Sequence, residues 1–275
     1  MHRLSLLASR VFTVLLAAAS FACAPVTTAQ DYTPTVGQEG KDVIWVPTPQ
    51  SLVDKMLDMA KLTPKDIHYD LGSGDGRTVI TAAKRGAQAY GVEFNPDMVK
   101  LSERAAAKEG VSARAKFING DIFQTDFSQA TVITLYLLPS LNVKLRPTIL
   151  KMKPGTRVVS HAFSMEDWQA DETATVEGRT AYLWIVPAQV NGRWQMPAGG
   201  ELTLKQSYQM ISGVLRQGGK ESIVKGQLSG ERITFATDAD GGRREFSGQV
   251  SGNAMQGTVK GSAGAGQWSA TRADK

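Results

Sequence analysis

The chain has 275 residues, 42% hydrophobic and 21% charged, values ordinary for a folded protein and sufficient for a sizeable core. Its formal charge is +5, falling to +3 beyond residue 29, a surplus too mild for a nucleic-acid binder. The single cysteine, Cys23, lies in the N-terminal leader, so the remainder excludes disulfides, cysteine-ligated metals and cysteine nucleophiles.

The leader, "MHRLSLLASRVFTVLLAAASFACAPVTTAQ", places Arg3 and Arg10 before and around an apolar run from Val11 to about Ala24, followed by small residues. This is the pattern of a secretory signal peptide, with cleavage expected after Ala29 and an exported or periplasmic location. The apolar run is shorter than the ~20 residues of a membrane span, so no stable span is expected once the leader is removed. An uncleaved anchor and a mitochondrial presequence are the alternatives, the latter because no acid precedes Asp31.

Residues 30–44 are polar with Gly and Pro and read as an exposed lead-in to a domain over 45–187. Thr48 is placed to cap a helix with Pro49 at its first position; Val53, Met56, Leu57 and Ala60 then share one face. "DIHYDL" reads as a strand, "RTVITAAKRG" as a helix ended by Gly86, and "AQAYGVEF" as a second strand. Asn95 caps the next helix, with Pro96 in its first turn and Gly110 as its stop. "ARAKFINGD" and "ATVITLYLL" are the third and fourth strands, a helix is expected around 142–152, and "PGTRVVSHAF" is the fifth strand. "TATVEG" and "RTAYLWIVP" are close enough to form a hairpin. Strands alternating with helices predict an α/β, doubly wound, mostly parallel seven-stranded sheet.

After about Pro187 helical patterns vanish and glycine becomes frequent. "ELTLKQSYQMISGVLRQ", "ESIVKGQLSGERITFAT", "REFSGQVSGNAMQGTVK" and "GQWSATR" read as successive strands joined by glycine-rich turns, and "GQLSGERI" recurs as "GQVSGNAM". A small all-β domain, a meander or barrel, is therefore expected over 188–275.

The densest constellation is "HYDLGSGDGRTVI", residues 68–80, where Gly72, Gly74 and Gly76 alternate with Ser73 and Asp75 just after Asp70. A dinucleotide loop has the spacing G-x-G-x-x-G, and no Gly-Lys-Ser/Thr follows for a P-loop. Two carboxylates beside a pyrophosphate would repel it by a few kcal/mol per charge pair at ~4 Å and an effective dielectric of ~20. The ligand should instead be cationic near the loop. S-adenosylmethionine satisfies this, with a sulfonium and an amino group, a ribose that suits a carboxylate and an adenine amino group that suits an acceptor. Glu93 ends the second strand, placed for the ribose hydroxyls. Asp121 ends the third strand, placed for the adenine amino group, with Ile122 against the ring. The plain structural readings are a tight turn for the glycines, a solvated charge for Glu93 and a turn residue for Asp121.

With these residues in place, the region from about 43 to 187 resembles a class I S-adenosylmethionine-dependent methyltransferase. "WVPTPQSLVDKML", "DLGSGDGR", "GVEFNP", "YLLP" and "GTRVVSHAF" are similar to the ATP synthase c-subunit lysine methyltransferase family and its bacterial relatives. The "DLGSGDG" core is also similar to telomeric-silencing-type histone-lysine methyltransferases. The resemblance implies methyl transfer to a lysine of a protein substrate; a small-molecule or lipid acceptor, and a non-catalytic envelope binding protein, are the alternatives. Tyr136 and Pro139, leaving the fourth strand, can line and shape an acceptor channel or simply pack and start a helix. Trp45 and Pro47 read as a lid or as packing, His161 as a proton acceptor or a strand residue, and His68 as part of the sheet. No metal is required by this chemistry.

Overall fold

A computed structural model describes residues 32–239, 242–262 and 264–273; the leader and Cys23 lie outside the described residues. The α/β part contains α1 (Gln50–Met59), β1 (Ile67–Leu71), α2 (Arg77–Lys84), β2 (Gln88–Glu93), α3 (Pro96–Lys108), β3 (Ala115–Asn119), β4 (Val132–Leu135), α4 (Pro139–Ile149), β5 (Arg157–His161), β6 (Glu172–Val176) and β7 (Arg179–Ile185). The strands form one seven-stranded sheet in the order β3-β2-β1-β4-β5-β7-β6. From β3 through β5 neighbours are parallel; β7 runs antiparallel to both β5 and β6, as the hairpin reading requires.

Alternation along the strands sorts the core into two faces. Val132 and Val159 pack with Leu52 and Met56 of α1, while Val79, Ala83 and Ala106 bring α2 and α3 onto the same side. Ile133, Leu135 and Val158 point the other way, onto Leu145 and Ile149 of α4. The β3–β4 and β5–β6 connections carry no helix, and Phe127, Met165 and Trp168 from them complete that second face.

Local signals act largely as expected. Asn95 Oδ1 accepts from the N–H groups of Asp97 and Met98, and Gly110 lies at φ +70° just past α3. Two boundaries differ. Thr48 does not cap α1: its hydroxyl is 3.0 Å from His161 Nδ1, and no side chain caps the helix. The fourth helix begins at Pro139 rather than at 142, because proline's fixed φ suits a first helical position.

The C-terminal part is a closed eight-stranded barrel of β8 (Gly192–Met196), β9 (Gly200–Ser207), β10 (Met210–Gln217), β11 (Lys220–Ser229), β12 (Arg232–Ala239), β13 (Gly242–Ser251), β14 (Ala254–Gly261) and β15 (Gly264–Arg272). Each of the three long runs read as strand is a hairpin. The recurring "GQLSG" and "GQVSG" segments end at Gly230 and Gly252, which turn the chain at φ +61° and +57°. Trp268 packs edge-on against the stacked rings of Phe235 and Phe246, whose centroids are 4.4 Å apart. The barrel also reaches the second face of the sheet. Tyr208 stacks on Trp168 at 5.7 Å and donates to Asp167 at 2.7 Å, and Gln209 donates to the Gln169 carbonyl at 2.8 Å.

In-strand glycine makes the barrel's curvature possible. A Cβ on Gly257 would lie 1.9 Å from the Ser247 carbonyl oxygen on the neighbouring strand. Gly257→Val should lower stability by at least about 2 kcal/mol, measured by urea unfolding, whereas the exposed Ser247→Ala should leave the midpoint unchanged.

Candidate functional site

A cavity of about 500 Å³ opens at the carboxyl ends of β1, β2 and β4, beside the turn that follows β3. Its wall contains Asp70, Gly72, Ser73, Gly74, Asp75, Glu93, Asp121, Ile122 and Tyr136. Of the residues singled out in the sequence, Gly76, Pro139, His68 and His161 stand outside the lining: Gly76 precedes α2 as its N-cap, Pro139 opens α4, and the two histidines lie in β1 and β5.

The glycine loop is built by its neighbours. The N–H groups of Gly72 and Ser73 both bond the Val92 carbonyl, at 2.9 and 3.0 Å. Gly74, at φ +54°, donates to Glu93 Oε2 at 2.9 Å, and a Cβ there would lie 2.6 Å from Trp45 Nε1. Trp45 thus rests directly on the loop, and the preceding segment folds back on itself through a Gly37 N–H bond to the Trp45 carbonyl at 2.8 Å. Glu93 Oε1 accepts from the Asn95 N–H at 2.9 Å, so the glycine loop and the start of α3 share one carboxylate.

Of the carboxylates that line the cavity, those at the strand ends and in the glycine loop have unlike partners. Asp75 pairs with Arg77 at 2.5 Å, and Asp121 pairs with Lys41 at 2.6 Å, which holds the Asp121 carboxyl below its usual range. Asp70 is 6% exposed and has no cation partner among the described residues. Burial pushes its carboxyl up to about 7, with Asp75 and Glu93 adding repulsion and the Thr134 hydroxyl, 2.6 Å away, partly offsetting it. Thr134 also meets His68 Nε2 at 2.9 Å. His68, whose imidazole burial lowers to about 3, is therefore neutral and holds the threonine that donates to Asp70.

At the other end of the cavity Tyr136 lies 6.1 Å from Phe163 and 3.8 Å from His161, centroid to centroid. Burial, then the nearby Arg179, lowers His161 to about 4, so it is neutral at pH 7 and a poor proton acceptor. Lys41, Phe94, Leu138 and Phe163 join the wall without having been singled out in the sequence. Phe94 follows β2 directly and Phe163 stands two residues past β5, a signal available in the sequence; Lys41 carried none, since its contact with Asp121 spans 80 residues.

The donor set fits a cationic nucleoside: an unpaired buried acid at the glycine loop, a second carboxylate at the end of β2, and an apolar floor including Ile122 and Leu135. Among the described residues no cluster of histidine, cysteine or acidic side chains is arranged to hold a metal.

Comparison with known proteins agrees. Residues 70–172 match the family described as the ANTKMT methyltransferase domain. A protein-lysine N-methyltransferase from Saccharolobus islandicus is 44% identical over 151 residues, covering 52% of this chain and 94% of the relative. The mouse lysine N-methyltransferase of the ATP synthase c-subunit is 35% identical over 129 residues, and the chain spans about half of its length. A crystal structure described as an RNA methyltransferase from Salinibacter ruber, in complex with S-adenosyl-L-homocysteine, is 49% identical with a TM-score of 0.52, covering 53% of this chain and 96% of that one. The chain is an S-adenosylmethionine-dependent methyltransferase and belongs to the family of the ANTKMT methyltransferase domain.

Proposed function

We propose that the protein methylates the side-chain amine of a lysine in a protein substrate. The observation that carries this reading is the character of the cavity wall and rim. Its two cations, Lys41 and Arg77, are each paired to a carboxylate, and Ile44, Val46, Phe94 and Leu138 are exposed around it. An RNA acceptor would call for unpaired basic side chains along its phosphates. An apolar rim suits a polypeptide instead, and relatives are named for protein lysine.

In this reading Asp70 and the loop of Gly72, Ser73, Gly74 and Asp75 hold the cationic end of the cofactor, with Gly76 setting the turn into α2. Glu93 takes the ribose hydroxyls, and Asp121 with Ile122 takes the adenine. S-adenosylmethionine supplies an electrophilic methyl group on a sulfonium. The chain supplies alignment and exclusion of water. Tyr136 and Phe163 flank the incoming amine, and Pro139 shapes the channel by fixing the start of α4. Desolvation between these rings lowers the lysine pKa and favours the neutral, nucleophilic amine. His161 holds the Tyr136 ring and is not the base.

Purified protein incubated with methyl-labelled cofactor and a cell-envelope extract should place label in protein, recovered as methyl-lysine on hydrolysis. Label in RNA or lipid would sink the lysine assignment. We further propose that the protein works outside the cytoplasm, on the strength of the signal-like leader. A C-terminally tagged chain should then fractionate with the periplasm; a purely cytoplasmic signal would refute this.

A further inference from the structure

The loop that joins β5 to β6, residues 162–171, has no helix and a single isolated bridge, Met165 to Trp168. It opens with a tight turn. Ala162 lies at φ +63°, and the Phe163 N–H donates back to the His161 carbonyl at 2.8 Å. A turn closed over three residues with positive φ at a side-chain-bearing centre is the rarer, strained form of the γ-turn. Such a conformation persists only where the surrounding structure holds it. Here it sends Phe163 into the wall of the cofactor cavity, at the end where Tyr136 stands.

The loop is held mainly by side chains, which take up the polar groups that no strand partner satisfies. Asn142 Nδ2 of α4 donates to the Phe163 and Ser164 carbonyls at 3.2 and 3.3 Å, and Arg146 Nη1 donates to the Met165 carbonyl at 2.8 Å. Trp184 Nε1 of β7 donates to the Trp168 carbonyl at 2.8 Å. The remaining ties come from the barrel. Gln209, 6% exposed, donates to the Gln169 carbonyl, while Tyr208 donates to Asp167 and lays its ring on buried Trp168. Asp167 also pairs with Arg146, so one carboxylate joins α4, the loop and the barrel.

The barrel turn that supplies these groups is itself fixed. Gln206 Nε2 donates to the Tyr208 carbonyl at 2.7 Å, and the Leu228 N–H to the Gln209 carbonyl at 2.7 Å. The barrel also abuts the chain two residues ahead of β5: a Cβ on Gly230 would lie 3.0 Å from Gly155 Cα.

We propose that the barrel is the positioning element of the acceptor site. Tyr208 and Gln209 are positioning residues: they fix the β5–β6 loop and, through it, the Phe163 ring that flanks the incoming substrate. This rests on the acceptor end assigned above. The match to the family domain ends at residue 172, so these two ties come from outside it. Small displacements at such a wall matter, since a misplacement of about 1 Å costs on the order of 100-fold in rate.

The test uses the full chain, methyl-labelled S-adenosylmethionine and graded amounts of cell-envelope extract. Tyr208→Ala should lower the rate at limiting acceptor at least about fivefold. KM for S-adenosylmethionine and affinity for S-adenosylhomocysteine should stay within about twofold, which also shows that the variant is folded. Tyr208→Phe, which keeps the ring on Trp168, should recover most of the lost rate. In a Phe163→Ala background Tyr208→Ala should cost less than about twofold more, because it acts through that ring. Hydrogen exchange of the unliganded chain should quicken over 162–171 in Tyr208→Ala and stay unchanged over β11–β14, a readout that needs no acceptor. An unchanged acceptor rate, full additivity with Phe163→Ala, a parallel loss of S-adenosylhomocysteine affinity or unchanged exchange in the loop overturns the proposal. Label in RNA or lipid would refute the lysine assignment alone, since the variants are compared on whichever acceptor takes label.

Discussion

Asp70→Asn is expected to weaken S-adenosylmethionine at least about 100-fold, because removing one partner of a buried charge pair costs roughly 3–5 kcal/mol. The same substitution should not harm the unliganded fold. Asn keeps an oxygen for the Thr134 hydroxyl, 2.6 Å away, and removes a buried acid that faces Asp75 and Glu93. The sign follows from linkage. A carboxyl raised from 3.8 to about 7 stabilises the fold fully below pH ~4 and loses that contribution as pH rises through 7. At roughly 1.4 kcal/mol for each pKa unit, the loss approaches about 4 kcal/mol. Unliganded wild type should therefore lose stability between about pH 4 and 7 relative to Asp70→Asn, as read by thermal unfolding. Cofactor affinity should run the other way: binding of a cation favours the ionised acid, so it should strengthen as pH rises towards 7 and level off above. A variant that binds the cofactor as wild type does, or a wild-type affinity flat from pH 5.5 to 8, would refute the placement of the cationic group.

Glu93→Ala should weaken the cofactor by about 30- to 100-fold, the loss of roughly 2–3 kcal/mol in hydrogen bonds to a charged acceptor. Its signature differs from that of Asp70. If Glu93 takes the ribose, S-adenosylmethionine and S-adenosylhomocysteine should lose affinity by the same factor, since they share that sugar. Asp70→Asn should penalise the sulfonium compound more. Glu93 also accepts from the N–H groups of Gly74 and Asn95, both at 2.9 Å. Glu93→Ala should thus cost about 1–2 kcal/mol of stability, which Glu93→Gln should partly restore. Calorimetry with both ligands on the two variants decides the matter. A loss confined to the sulfonium compound in Glu93→Ala would assign the carboxylate elsewhere.

The catalytic end of the sheet was legible because its signals are local. Asp70, Glu93 and Asp121 stand at or just beyond three successive strand ends, and a strand of the right polarity delivers such residues to one edge whatever lies between. Glycines at alternate positions announce a backbone that must turn through positive φ, and Gly72, Gly74 and Gly76 do so. The hairpin of β6 and β7 was equally plain from its spacing. In the C-terminal part, alternation and glycine turns indicated an all-β domain, but each long run concealed a turn at Tyr208, Gly230 or Gly252.

What the chain order alone determined, then, is the type and sequence of elements, since periodicity, caps and glycine are properties of neighbouring residues. Tertiary structure decided the rest. Lys41 reaches Asp121, Thr48 leaves its helix for His161, Trp45 lies on Gly74, and Asp70 acquires its raised pKa from burial among residues distant in sequence. It also decided that the eight strands close, with β15 meeting β8 only near its C-terminal end. Such facts depend on which surfaces exclude water from which charges. That is settled only when the sheet, the loops and the barrel are packed together.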